Sequence, residues 1–260
     1  MTDRTPLFAW HRSAGARVIR FAGWDMPLQY SRIVDEHHVV RQAVGVFDVG
    51  HMGKVVVQGR GAASFLDELS AAAIPGSPGQ AQYTHLLRED GTTLDDVIVA
   101  CEAADRYLLV CNASARATVV PWLSDRTPPG VSVVDRTHEF GCIAVQGPKA
   151  PELLDRVVVG GAPQLAPFRA ATVPVALGQG PSETEGWGSM GQERPSADTS
   201  GHRRLLVTRT GYTGEAGFEL FPAAAATLPL WERLLGTGGD LGVRPIGLGA
   251  RDILRLEKGY

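Results

Sequence analysis

Two stretches, Val55–Leu69 (VVVQGRGAASFLDEL) and Ile143–Val157 (IAVQGPKAPELLDRV), read as one motif written twice. Placing Val57 on Val145 also matches Gln58 with Gln146, Gly59 with Gly147, Ala62 with Ala150, Leu66 with Leu154 and Asp67 with Asp155. Each copy predicts a short apolar strand, a glycine turn and a helix whose apolar residues recur at helical spacing. Glycine suits the turn because it reaches backbone conformations that a Cβ forbids.

The flanking sequence extends the repeat. After the first copy, Tyr83–Leu87 and Leu94–Ala100 enclose Glu-Asp-Gly-Thr, a hairpin pattern. After the second, Leu205–Arg209 and Phe218–Phe221 enclose Thr210-Gly211-Tyr212-Thr213-Gly214-Glu215, which reads as the matching hairpin. A helix follows each, Ala117–Trp122 and Ala226–Trp231. Strand, helix, hairpin and helix, written twice, predict an α+β fold with antiparallel sheets, and argue against a doubly wound parallel sheet. The halves run over about residues 52–125 and 140–235. Ser31 is expected to cap a helix that Gly45 ends. Residues 178–201, rich in Gly, Ser, Pro and Glu without apolar period, are expected to form a mobile insertion.

Bulk properties exclude several classes. The chain has 260 residues, 44% of them hydrophobic and 20% charged, and a net charge of −3. That balance predicts a soluble globular protein without the basic stripe of a nucleic-acid binder. No run is apolar enough for a membrane helix, and the N-terminus lacks the order of a secretory signal, so a cytoplasmic location is expected. Cys101, Cys111 and Cys142 form no Cys-x-x-Cys pair and are expected to be buried thiols. His37 and His38, adjacent on a helix, point about 100° apart and make a poor metal chelate, so no metal is expected. His51, just before the first repeat strand, suits a structural hydrogen bond or a pocket. Gly247-Leu248-Gly249-Ala250-Arg251-Asp252 carries Asp where a dinucleotide loop needs its third glycine.

Three charged groups remain. Asp95 and Asp96 sit side by side on a strand and must face opposite ways. If Ile98 and Ala100 mark the interior face, Asp96 is the inward acid; it then needs a donor or a ligand, or it bonds turn amides. Glu215 lies in a glycine-dense turn that brings backbone close to another segment or a ligand. Arg251 opens the last helix with a planar fork suited to a carboxylate, or else it pairs with Asp252, Glu257 or another acid.

Seven ordered motifs resemble the folate-binding family of glycine-cleavage T-proteins. They are Thr5–Phe8, Phe21–Leu28, Phe47–Gly53, Leu94–Asp96, Val145–Pro148, Thr210–Glu215 and Gly247–Asp252. The resemblance covers nearly all of the chain except the 178–201 insertion. It implies a tetrahydrofolate-dependent aminomethyltransferase that moves a one-carbon unit from the lipoyl arm of the H-protein to tetrahydrofolate, with release of ammonia. By motif match it implies Asp96 as the catalytic carboxylate, Glu215 as reader of the pterin edge and Arg251 as contact to the folate tail. Tyr83 and Asn112 match pocket-lining positions.

The resemblance leaves two alternatives: a folate-dependent demethylase, or a non-catalytic folate-binding protein of iron–sulfur cluster maintenance. The latter relatives carry Lys-Gly-Cys-Tyr, whereas this sequence has Lys258-Gly259-Tyr260 and keeps Asp96. Residues 1–260 are thus expected to be one folate-binding domain, with the family's C-terminal β-barrel domain missing.

Overall fold

The computed structural model describes residues 2–161, 164–177 and 203–260. The expected insertion at 178–201 lies outside the described residues. In chain order the first elements are β1 (Asp3–Arg4), α1 (Phe8–Ser13), β2 (Arg17–Phe21), β3 (Trp24–Gln29), α2 (Ile33–Gln42) and β4 (Gly45–Asp48). The first repeat copy follows as β5 (Gly53–Gly59), α3 (Ala62–Glu68), β6 (Ala81–Leu87), β7 (Thr93–Ala103), β8 (Arg106–Cys111), α4 (Arg116–Ser124) and β9 (Val131–Asp135). The second is β10 (Ile143–Gln146), α5 (Ala150–Val157), β11 (Ala170–Val175), β12 (Arg203–Thr208), β13 (Gly217–Phe221), α6 (Ala224–Thr237), β14 (Arg244–Ile246) and α7 (Leu248–Lys258). None of the described helices is long and apolar enough to cross a membrane.

These elements form two compact units, one of residues 51–138 and 165–171, the other of 1–50, 139–164 and 172–260. The 51–138 unit is built on a five-stranded sheet ordered β6-β7-β8-β5-β9, antiparallel throughout. One face is packed by Phe65 and Leu66 of α3 and by Val119 and Leu123 of α4, against Val55, Val57, Val97, Val99, Cys101 and Leu109. Alternation along each strand sends these side chains to the same face, and burying them drives the unit's collapse. The other unit holds a six-stranded sheet ordered β11-β12-β13-β10-β4-β14 and a three-stranded sheet ordered β1-β3-β2. The architecture is α+β, as expected.

The strand orders show the duplication directly: β6-β7-β8-β5 in one sheet has the same path as β11-β12-β13-β10 in the other. The glycine turns after the two repeat strands also agree, with Gly59 and Gly147 at φ 118° and 135°. One expectation is corrected here. The hairpin equivalent to β12–β13 is β7–β8, not the Tyr83–Leu87/Leu94–Ala100 hairpin, which is β6–β7. Antiparallel hairpins share one alternation pattern, so sequence alone slips by a strand when one strand of each copy goes unread. Glu215 and Asp96 therefore do not occupy equivalent hairpins.

The expected cap is corrected as well. Helix α2 begins after Arg32, which makes no side-chain cap, and ends at Gln42, while Gly45 opens β4. Ser31 is held from the other direction: its N–H, and that of Tyr30, donate to Oε1 of Glu36 at 2.7 and 2.6 Å. The second oxygen of this buried carboxylate accepts from Gly247 N–H at 2.8 Å, tying α2 to the start of α7. His37 bonds Glu257 at 2.9 Å, and the described residues hold no cluster of three metal-ligating side chains. All three cysteines are buried free thiols. Burial, then the charges of Asp95 and Asp135, pushes Cys111 up to about 12, which leaves it unreactive near neutral pH.

Candidate functional site

In the 51–138 unit the structure brings together Tyr83, Asp96 and Asn112. The β6–β7 register pairs Tyr83 with Ile98 and His85 with Asp96, so these four residues share one face of the sheet. Asn112 directly follows β8 and reaches back across β7. The Tyr83 hydroxyl donates to Asp96 Oδ2 at 3.2 Å, and the Asn112 amide donates to Asp96 Oδ1 at 2.8 Å. Each oxygen of the carboxylate is thus oriented by a neutral donor.

The inward acid, however, is Asp95. Asp96 does share its face with Ile98 and Ala100, but the helix-packed face is that of Val97, Val99 and Cys101, which belongs to Asp95. Asp95 is 8% exposed, and Asp96 lies in a more open position. Small apolar residues line both faces of β7, so alternation gave no way to rank them. Asp95 accepts Asn112 N–H at Oδ2 and the Asn112 side-chain amide at Oδ1, both at 2.9 Å. One amide group therefore bridges two neighbouring carboxylates. Burial pushes Asp95 up; the Asn112 donors pull against that, and the charge of Asp96 adds to it.

A raised carboxylate has a definite sign in stability. The native state holds the Asp95 proton more tightly than the unfolded chain does, so stability falls as pH rises from the ordinary value of 3.8 through the raised one. Asp95→Asn is expected to flatten this part of the stability–pH curve, measured by urea unfolding at several pH values. An unchanged slope would exclude Asp95 as its source.

The other unit carries Arg251 and Glu215, and places them in different settings. Arg251 lies on the stripe of α7 that includes Leu248 and Leu254, the buried side of the helix. Its guanidinium stacks at 4.2 Å over the ring of Tyr212, and the Tyr212 ring in turn stacks on Tyr260 at 5.4 Å. The acids that could have paired with it are engaged elsewhere: Asp252 with Arg255 at 2.9 Å, Glu257 with Arg41 at 2.5 Å. Among the described residues no carboxylate forms an ion pair with Arg251. Burial pulls its pKa down, and Tyr212 and Glu219 oppose that pull.

Glu215 is half-buried and bound to Arg41 at 2.9 Å. The acid that interacts electrostatically with Arg251 is Glu219 on β13. Burial pushes the Glu219 carboxyl up, while the Thr210 hydroxyl and the Arg251 charge pull it back. Thr210 donates to Glu219, and the Thr208 and Thr210 hydroxyls lie 2.6 Å apart, so a short hydroxyl chain ends on this acid. Glu219 escaped the sequence reading. Its signal was present, an acid inside the apolar run Phe218–Phe221.

Comparison with known proteins identifies the family. The family model described as GCVT N-terminal domain matches residues 7–173 and 194–260. The chain is 41% identical to an aminomethyltransferase of Prosthecochloris aestuarii and 42% identical to one of Chlorobaculum parvum, in each case covering 99% of this chain and 65% of the relative. The chain thus spans about two thirds of the length of the curated relatives it matches. The crystal structure of glycine cleavage system aminomethyltransferase T from Bartonella henselae superposes with a TM-score of 0.81 at 31% identity, over 100% of this chain and 63% of that one. A heterotetrameric sarcosine oxidase from Corynebacterium sp. U-96 shares the fold at 14% identity and a TM-score of 0.56, over 82% of this chain and 93% of that one. With a strand path written twice and a family match over most of its length, this chain belongs to the GCVT N-terminal domain family, that of the glycine-cleavage T-protein.

Proposed function

We propose that the chain provides the folate-handling part of an aminomethyltransferase of glycine cleavage. In that reaction a one-carbon unit leaves the lipoyl arm of an H-protein partner for tetrahydrofolate, and ammonia is released. Tetrahydrofolate supplies the nitrogens that accept the carbon; the chain's own residues bind, orient and exchange protons. The observation that carries this reading is Arg251, a partly buried guanidinium stacked on Tyr212 that forms no ion pair with a carboxylate among the described residues. Such a group is a receptor for an anionic ligand group, and a planar fork suits the carboxylates of a folate tail.

Glu215 keeps the pterin-reading role that the resemblance gives it, with its Oε1 held by Arg41, whereas Glu219, within the electrostatic reach of Arg251, belongs with the tail receptor. A carboxylate suits the adjacent N–H donors of a pterin edge. Asp96 is the proton-exchanging group, held at both oxygens by Tyr83 and Asn112.

Calorimetric titration with tetrahydrofolate tests the reading. Arg251→Met is expected to raise Kd by about tenfold to a hundredfold, the worth of a hydrogen bond to a charged group. The same variant should bind a tetrahydropterin that lacks the glutamate tail as well as the parent does. No binding of either ligand by the parent protein at millimolar concentration would sink the proposal.

A further inference from the structure

The connection between β12 and β13 runs over residues 209–216, whereas the equivalent β7–β8 connection in the first copy is residues 104–105. The second copy therefore carries an enlarged loop at this corner, and that loop holds Tyr212. An enlarged loop rich in glycine is conformationally expensive to fix, because each residue loses backbone freedom. Two side chains supply the fixing contacts.

The first is Gln146, 1% exposed at the end of β10. Its Oε1 accepts the Thr213 hydroxyl at 2.8 Å, and its Nε2 donates to the carbonyl of Thr210 at 3.2 Å. The loop backbone closes tightly around this amide. A Cβ at Gly211 would stand 2.1 Å from Gln146 Oε1, and one at Gly217 would stand 2.2 Å from Nε2. Glycine at both ends of the loop is thus a packing requirement set by Gln146. The repeat-equivalent Gln58 has no such loop to hold, and its side chain makes no hydrogen bond among the described residues.

The second is Arg41 on α2, which grips the same turn from the opposite side. Its Nη1 donates to the carbonyl of Thr213 at 2.8 Å and to Glu215 Oε1 at 2.9 Å. Its Nε and Nη2 donate to Glu257 of α7 at 3.1 and 2.5 Å. Arg41 therefore links the loop that bears Tyr212 to the helix that bears Arg251. Thr213 is pinned by Gln146 through its hydroxyl and by Arg41 through its carbonyl.

We propose that Gln146 and Arg41 are positioning residues that hold the 209–216 loop so that the Tyr212 ring covers one face of the Arg251 guanidinium and aims its N–H edge at an anionic ligand. This inference rests on the reading of Arg251 as a folate-tail receptor. A guanidinium stacked on one face keeps its in-plane donors available, and loss of the stack lets the fork swing away from the ligand. The two clamps act on binding through Tyr212 rather than by touching ligand.

The test is a double-mutant cycle on the protein, with a ligand-free readout beside it. Gln146→Ala is expected to raise the Kd for tetrahydrofolate about tenfold, as the loss of two buried hydrogen bonds allows. In a Tyr212→Ala background the same change should add less than about twofold, because coupled residues are not additive. KM for tetrahydrofolate should rise while kcat stays near that of the parent. Amide exchange across 210–216 should quicken at least about tenfold in Gln146→Ala, with β10 and β13 still protected. Arg41→Gln, a change at a half-exposed site, carries the same cycle if Gln146→Ala does not fold. Independent, multiplying effects of the clamp and Tyr212 changes would overturn the inference, as would unchanged amide exchange in the loop. If the parent protein binds no folate, the reading of Arg251 falls, and amide exchange alone then judges the clamp.

Discussion

Asp96→Asn is expected to lower turnover about 10²-fold or more while leaving tetrahydrofolate affinity within a few-fold, the usual cost of losing a positioned proton-transfer group. The substitution keeps the shape of the side chain and removes its charge and proton affinity. Tyr83 and Asn112 both donate to Asp96, so an Asn at 96 retains one acceptor oxygen and places an NH2 against the other donor. Local rearrangement is confined to these neutral groups, which is why the fold should survive. Single-turnover kinetics with loaded H-protein, alongside a calorimetric Kd, separates the chemical step from binding. Parent-like turnover in a folded Asp96→Asn protein would remove Asp96 from the chemistry. Equal losses in affinity and turnover would make it a binding residue instead.

Asp48→Ala is expected to cost about 3–5 kcal/mol of stability, because it leaves three buried partners without their acceptor at about 1–3 kcal/mol each. Asp48 is 3% exposed at the end of β4 and accepts from Thr5 Oγ1 at 2.5 Å, Gly50 N–H at 2.8 Å and, at 2.8 Å, the His11 ring. The His11 ring continues to the Tyr30 hydroxyl at 2.7 Å, and Trp10 and Trp231 pack edge-on against the same ring. Removing the carboxylate strands all three partners in a dry site. For a chain of this size the loss corresponds to a fall in Tm of very roughly 10 °C.

The pH dependence of this group has the opposite sign to that of Asp95. Burial alone would raise the Asp48 carboxyl, but the bonds and charge from His11, with Thr5 and Gly50, bring it below its ordinary value of 3.8. Its contribution is therefore complete above that ordinary value and is lost as pH falls toward the lower native one. Thermal melts of the parent and Asp48→Ala from pH 7 down into the acid range should converge. A stability difference under 1 kcal/mol at pH 7 would show that the network stabilises little, and a gap that does not close in acid would show that the ionised carboxylate is not its source.

Much of this protein is legible in its residues. The duplicated strand–glycine–helix motif, with Gln58 and Gln146 in step, fixed the α+β class, because alternation and helical spacing are local consequences of backbone geometry. Asp96 and Arg251 stood out for a similar reason, because charged groups next to apolar strands and helix starts need partners, whereas Tyr83 and Asn112 came only from the family resemblance. The cysteines, with Cys101 and Cys111 in apolar strand-like runs, were buried as expected.

Only the tertiary structure could decide the rest, because the deciding facts lie between segments far apart in the chain. Which of Asp95 and Asp96 turns inward depends on which sheet face α3 and α4 cover, and both faces of β7 carry apolar residues. Which hairpins are equivalent depends on strand order, and every antiparallel pair shares one alternation pattern. Glu215 and Glu219 are four residues apart in one hairpin, yet one pairs with Arg41 of α2 and the other lies in the electrostatic reach of Arg251 of α7. Their separate fates are set by long-range packing, because a strand residue and a loop residue point wherever their neighbours in space leave room.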